Sequence, residues 1–180
     1  MRILTAAALT LLTLSAHADL NKSQVEKWLT TMKPVQHWME DHEGQVSGRD
    51  LFKGNSQGLQ GMFDGAIGEL KNAGLYDDFS RLLASHNYTS VESWAADSRD
   101  ITTTYMAISM EGQKINPAMI EQQLAQVKAS PLPEDQKQMM TGMLQGTLTM
   151  MKEVEGISAA DKEVVRPYVK TIESSFGHTH

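Results

Sequence analysis

Helix start and stop signals recur along this chain and divide it into segments of helix length. Asn116-Pro117 is typical of a cap residue followed by proline in the first helical turn. Pro133-Glu134-Asp135 places two acids where the positive end of a helix dipole favours them, and Gly156 follows the apolar segment they open. Strand-like alternation of apolar and polar residues is not evident. These patterns predict an all-α protein.

Residues 19–176 are predicted to form a single domain, a bundle of about six to seven helices, several of them kinked or short. The first helix should begin at Asn21 or Ser23. Pro34 should end or kink it, because proline lacks the N–H that the helix interior needs. Residues 35–43 are then predicted to form a second, short helix.

Further signals divide the rest of the chain. The glycine-rich residues 43–58 are predicted to form a mobile loop. Thr89 and Glu92 have the spacing of a capping box, in which each side chain accepts from a free backbone amide, and should open a long helix. Pro167 should kink the last helix, and residues 177–180 are predicted to be a frayed tail.

The first eighteen residues have the pattern of a secretory signal peptide. Arg2 supplies a positive start, residues 3–14 are apolar and uncharged, and Ala16-His17-Ala18 is a small-x-small cleavage site. The apolar run is shorter than the roughly 20 residues that a membrane-spanning helix needs. We therefore expect a bacterial protein, cleaved at about Ala18 and located in the periplasm or secreted.

Composition excludes several classes of function. The chain has no cysteine, which rules out disulfides, cysteine nucleophiles and zinc–thiolate sites. Its net charge is −6 at pH 7 and it has no basic cluster, whereas a nucleic-acid-binding protein normally carries one. No apolar run after residue 18 is long enough to cross a membrane. We predict no nucleic-acid partner and no transmembrane segment.

Residues 138–151 hold five of the twelve methionines. On a helical wheel these five share one apolar arc about half a turn wide, with polar residues opposite. Such an arc suits either core packing, because methionine fills irregular gaps, or an exposed and adaptable binding surface. The candidate binding residues are Met139, Met140, Met143, Met150 and Met151.

A glycine–methionine pattern occurs twice. Gly142-Met143-Leu144-Gln145-Gly146 echoes Gly61-Met62-Phe63-Asp64-Gly65, and in both segments the glycines flank the apolar arc on the same side. Glycine within a helix costs up to about 1 kcal/mol relative to alanine, but it permits close approach of another helix. We predict close helix packing at Gly61, Gly65, Gly142 and Gly146, the two helices against each other included.

Two weak metal sites are conceivable from spacing. Met139 and Met143 lie one turn apart, and thioethers are soft ligands that suit Cu(I). The whole methionine segment is too long for a single ion, since Met139 and Met150 are separated by about 16 Å along a helix. His37 and Asp41 also share a helical face, but they do not form a zinc protease motif. No cofactor is predicted.

The sequence has no nucleophile elbow, phosphate-binding loop or dinucleotide fingerprint, so we do not expect an enzyme. The leading interpretation is a binding or chaperone-like protein that holds a protein or a small hydrophobic ligand on its methionine-rich face. The alternatives are a periplasmic copper-handling protein and an inhibitor or immunity-type interaction module. The general plan resembles that of small exported helical proteins, periplasmic stress chaperones among them, without the L-T-x-x-Q motif of the Spy-like chaperones.

Overall fold

The structure is a computed structural model that describes residues 20–45, 58–112 and 116–176. Its regular elements within these ranges are helical: α1 (Lys22–Asp41), α2 (Gly58–Asn72), α3 (Tyr76–Ala84), α4 (Val91–Ser109), α5 (Pro117–Ala129), α6 (Glu134–Glu155), α7 (Ala159–Val165) and α8 (Val169–Phe176). A 3-10 turn, Arg166–Tyr168, joins α7 to α8, so these two form one interrupted helix. For the described residues, the predicted all-α single-domain bundle of about six to seven helices is confirmed.

Some predictions fall on segments that the structure does not describe. The signal peptide at residues 1–18, residues 46–57 of the glycine-rich stretch and the tail at residues 177–180 lie outside the described residues. In the described ranges, no helix combines the length and the apolar character that crossing a membrane requires.

Most of the predicted helix ends are confirmed because they depend on local hydrogen bonds. The Asn21 side chain accepts a hydrogen bond from the backbone N–H of Gln24, and the Gln24 side chain accepts one from the backbone N–H of Asn21. The Asn116 side chain accepts from the backbone N–H of Ala118 and so caps α5, and the Ser158 hydroxyl accepts from the backbone N–H of Asp161 and caps α7. Gly156 ends α6 as predicted.

The prediction that Pro34 separates two helices is wrong. Pro34 lies inside α1, and the predicted second helix is the C-terminal part of the same element. Proline in a helix interior costs about 3 kcal/mol. Thr31 and Val35 on either side of it are both buried, so tertiary packing holds the helix together across the missing hydrogen bond.

The predicted capping box at Thr89 and Glu92 is also wrong, by one residue. Ser90 is the cap of α4, and its hydroxyl accepts from the backbone N–H of Ser93 at 3.0 Å, while the Ser93 hydroxyl accepts from the backbone N–H of Ser90 at 3.3 Å. Glu92 instead accepts from the Tyr76 hydroxyl at 2.6 Å and so connects α4 to α3. Thr89 with Glu92 and Ser90 with Ser93 both have capping spacing. The serine pair forms the cap, because the Glu92 side chain is engaged by Tyr76 of α3.

Two clusters of buried side chains form the core, one toward each end of the long helices α1 and α4. The first cluster draws on α1, α4, α7 and α8 and consists of Leu20, Val25, Trp28, Ile101, Val165 and Ile172. The second draws on α1, α2, α3, α4 and the turn before α4 and consists of Val35, Leu70, Phe79, Leu83, Tyr88 and Val91. Trp94 packs against both clusters, so it is the side chain where they meet.

Hydrogen bonds from tryptophan side chains fix α1 against α4. The indole N–H of Trp28 donates to the Ser98 hydroxyl at 2.8 Å, in a buried position. The indole N–H of Trp94 donates to the Thr31 hydroxyl at 2.9 Å. Because a buried indole N–H without a partner is costly, these two reciprocal bonds set the register of α1 on α4.

The helices α5 and α6 stand apart from this core. We call them the hairpin, and α1–α4, α7 and α8 the body. Helix α5 packs mainly along α6, and α6 also contacts α2 and α4. Each hairpin helix has a single buried residue, Val127 in α5 and Gly146 in α6.

Candidate binding surfaces

The methionine arc of α6 divides along its length. Met139 and Met143, in the N-terminal half, are 63% and 61% exposed, and Met140 is 39% exposed. We call these three residues the methionine face. Met150 and Met151, in the C-terminal half, are half-buried. The predicted binding residues therefore fall into an exposed group and a partly covered group.

The side of α6 that is covered is not centred on the methionines. Its half-buried positions in the N-terminal part follow helical spacing through Lys137, Thr141, Leu144 and Leu148. Since α5 is the helix that packs along α6 here, this stripe is the side turned toward α5. The methionine face lies on the edge of the apolar arc away from it.

Met151 lies where α6 faces other helices of the bundle. It lines a cavity of about 390 Å³ together with Leu148 and Val154, between α6 and residues of α4, α5 and α7. Glu111, at one side of this cavity, accepts two hydrogen bonds from the Arg166 guanidinium at 3.0 and 3.2 Å, which lower the pKa of Glu111. This part of α6 is attached to the body, and its apolar side chains are half-buried there.

The four glycines of the repeated pattern do not behave alike. Gly61 and Gly146 are buried. A Cβ atom built at Gly65 or Gly142 would meet no described heavy atom within 4 Å outside the helix itself, so close backbone approach at these two positions is not found. Helical periodicity predicts that the glycines of each helix lie along one edge of that helix. It does not predict how much of that edge a neighbouring helix covers.

Helices α2 and α6 do contact each other, and a carboxylate makes one of the contacts. Glu153 of α6 accepts a hydrogen bond from the backbone N–H of Leu59 at 3.1 Å, in the first turn of α2. A Cβ atom at Gly58 would collide with the Glu153 carboxyl group, and Gly58 also has a φ of +69°, which favours glycine. Glu153 therefore caps α2 from outside it and fastens the hairpin to the body.

Of the residues considered as metal ligands, His37 and Asp41 lie close together in the structure. The Nε2 atom of His37 lies 3.7 Å from Asp41 Oδ2, and its Nδ1 atom lies 3.8 Å from Glu40 Oε2, with all three side chains exposed. Within the described ranges, no group of three histidine, aspartate or glutamate side chains is arranged to hold a metal ion. Cu(I) binding by Met139 and Met143 stays a prediction.

A cleft of about 510 Å³ lies between α1, α2, α4 and the end of α8, and sequence reasoning did not find it. Its apolar lining residues are Trp28, Met32, Val35, Met39, Phe63, Trp94 and Phe176. Met39 and Phe176 are 51% and 47% exposed. The apolar lining residues come from four different helices, and only the tertiary arrangement brings them to one opening.

The aromatic rings of the cleft present apolar surface. The indole N–H groups of Trp28 and Trp94 are already bonded to Ser98 and Thr31. The Phe63 ring meets Trp94 edge-on, with centroids 6.5 Å apart. A ligand in this cleft would therefore contact ring surface and methionine side chains, with few polar groups among them.

A third tryptophan, Trp38, packs against the second core cluster and has a polar partner. Trp38 donates to Asp78 at 2.7 Å, and Arg81 donates to the same carboxyl group at 2.9 Å. Both bonds hold the pKa of Asp78 below its usual value, with the tryptophan bond the larger cause. The His42 ring stacks on Trp38 at 4.2 Å between centroids. This polar group fixes the C-terminal end of α1 on α3.

Comparison of the chain with protein-family models, with curated proteins and with solved structures finds no match.

Proposed function

We propose that this protein is a non-enzymatic, chaperone-like binding protein that holds apolar segments of other proteins on its methionine face. The observation that carries the proposal is the exposure of Met139, Met140 and Met143 on one edge of α6. Met119, on the partner helix of the hairpin, is 60% exposed as well. Four of the six large apolar side chains that are exposed in the described chain thus belong to the hairpin.

Methionine suits such a role for a physical reason. Its unbranched side chain has three rotatable bonds and a polarizable sulfur, so one surface adapts to apolar segments of different shape. Contiguous exposed apolar side chains in a folded protein generally mark a surface that another molecule covers. The half-buried stripe through Leu144 and Leu148 already holds α6 to α5, which leaves the methionine face free of that packing role.

We further propose that the protein acts outside the cytoplasm, in a periplasm or after secretion. The support is the signal-peptide pattern of residues 1–18, with its apolar run and small-x-small site. A protein that binds unfolding clients there acts on chains that have no access to the ATP-driven chaperones of the cytoplasm. Binding through exposed apolar side chains alone requires no nucleotide, in agreement with the lack of a phosphate-binding motif.

The test is suppression of client aggregation, followed by light scattering while a reduced or heated client protein unfolds. The triple variant Met139→Gln, Met140→Gln, Met143→Gln keeps side-chain length and helix propensity but removes the apolar surface. We expect the wild-type protein to suppress scattering at about equimolar ratio and the triple variant to lose most of that activity. A triple leucine variant at the same positions should retain it.

Met39→Gln is the matched control, because Met39 is similarly exposed but lies at the cleft in the body. It should suppress aggregation as well as the wild type does. Full activity of the triple glutamine variant, or no suppression by the wild-type protein, would show the proposal to be wrong.

A further inference from the structure

We propose that the cleft between α1, α2, α4 and α8 is a second binding site, for a small cationic amphiphile: an apolar alkyl or aromatic body that carries an ammonium group. This site is separate from the methionine face, and the inference does not depend on the function proposed for that face. Three features of the cleft specify the ligand class.

The first feature is the apolar interior. Its volume, about 510 Å³, lies within the range of small-molecule sites, roughly 300–1,000 Å³. Phe63, Trp94 and Phe176 supply aromatic surface, and Met32 and Met39 supply adaptable aliphatic surface. Such a lining stabilises the apolar body of a ligand by removing it from water.

The second feature is the charge of the rim. Glu40 and Glu43 are the charged residues among the described lining of the cleft, both are exposed, and no lysine, arginine or histidine occurs among those lining residues. An anionic headgroup would meet two carboxylates with no positive partner in that lining.

The third feature is the C-terminus of α1, which lies at the rim of the cleft beside the two glutamates. Helix α1 ends at Asp41, so Glu40 and Glu43 flank its C-terminus, where the helix dipole gives a partial negative charge. The last turn of α1 holds no basic residue that would compensate this charge. His42, next in the chain, has its Nδ1 atom 2.8 Å from the Trp38 carbonyl and its ring against Trp38. A cationic ligand headgroup would supply the missing compensation.

The experiment is titration of the purified protein with three probes that share a dodecyl chain: dodecyltrimethylammonium, dodecyl sulfate and dodecyl maltoside, each below its micelle concentration. Binding is followed by calorimetry and by tryptophan fluorescence, since Trp28 and Trp94 line the cleft. At pH 8 and physiological salt we expect saturable binding of the ammonium probe, at least tenfold tighter than binding of the other two. Equal binding of the three probes, or tighter binding of the sulfate, would overturn the proposal.

Variants assign the binding to the cleft. Glu40→Gln with Glu43→Gln should reduce the preference for the ammonium probe at least tenfold. Asp77→Asn with Asp135→Asn is the matched control: it changes the net charge equally at positions outside the cleft and should leave the preference intact. If the control pair removes the preference as fully as the glutamate pair does, the attraction comes from overall charge and the proposal is wrong.

Two more variants separate this site from the methionine face. Phe63→Ala should weaken binding of the ammonium probe several-fold while its circular dichroism stays helical. The triple variant Met139→Gln, Met140→Gln, Met143→Gln should bind the probe as the wild type does. Loss of probe binding in the triple variant would place the ligand on α6 and overturn the cleft assignment, whatever the result of the aggregation assay.

Discussion

The hairpin and the body use their apolar residues differently, although α6 of the hairpin and α4 of the body are similarly amphipathic. Within the body, α4 buries seven residues, namely Val91, Ala95, Ser98, Ile101, Thr103, Thr104 and Ala107. The hairpin helix α6 is longer, with 22 residues against 19, and buries only Gly146. An apolar arc on a helix therefore does not by itself create a core, because a second surface must cover it.

The difference between body and hairpin indicates which region contributes most of the stability and which region can provide a binding surface. Body helices are held by long-range packing and by the tryptophan hydrogen bonds between α1 and α4. The hairpin is held by local helix propensity, by packing of α5 on α6 and by its attachment through Glu153. Regions with few buried contacts open more readily, and binding surfaces are commonly found in them.

The largest expected effect contrasts one core residue with one hairpin residue. Ile101 is fully buried in the first core cluster, so Ile101→Ala should lower the free energy of unfolding by about 2–5 kcal/mol. Met143→Ala, at an exposed position, should change it by less than about 0.5 kcal/mol. Urea denaturation followed by circular dichroism measures both.

An equal loss of stability in these two variants would contradict the division into body and hairpin. It would mean that the methionine face is covered in solution, for example by a second copy of the chain. Sedimentation measurements on the wild type and on Met143→Ala would then identify the covering partner.

An intermediate effect is expected at the attachment point. Glu153→Ala removes the carboxylate that accepts from the Leu59 N–H and should cost about 0.5–2 kcal/mol, the usual cost of losing a helix cap. Hydrogen exchange should speed up in the first turn of α2. Glu155→Ala, two residues further along at an exposed position, serves as the control and should leave that turn unchanged.

The smallest effect concerns glycines of the repeated pattern. Gly142→Ala should raise the free energy of unfolding by about 0.5–1 kcal/mol, because alanine favours the helix and its Cβ meets no described atom within 4 Å. Gly146→Ala, at a buried position, should give no such gain. Thermal unfolding of the two variants compares them directly, and a matching gain at both positions would show that the burial of Gly146 does not restrict it.

Local chemistry made much of the fold predictable from sequence. The caps at Asn21, Asn116 and Ser158 and the stop at Gly156 each depend on residues within one turn. The error at Pro34 has a different origin, since the continuity of α1 depends on partners of Thr31 and Val35 that are distant in sequence. Sequence rules for helix ends hold where tertiary packing does not oppose them.

The candidate sites were less predictable for a related reason. The helical wheel correctly placed Met139 and Met143 on one apolar arc, but exposure depends on which neighbour packs on which side of that arc. The cleft was not predictable at all, since Phe63 and Trp94 come from different helices and show no shared spacing. A sequence pattern within one helix identifies an apolar face of that helix. A site formed between helices can be identified only once the tertiary structure is known.

The position of Trp94 has a consequence for how the protein responds to occupancy. This side chain touches both core clusters and also lines the cleft. By mass action, any molecule that binds only the folded cleft raises the melting temperature. Because Trp94 packs against both clusters, occupancy of the cleft would couple to the packing of both halves of the body.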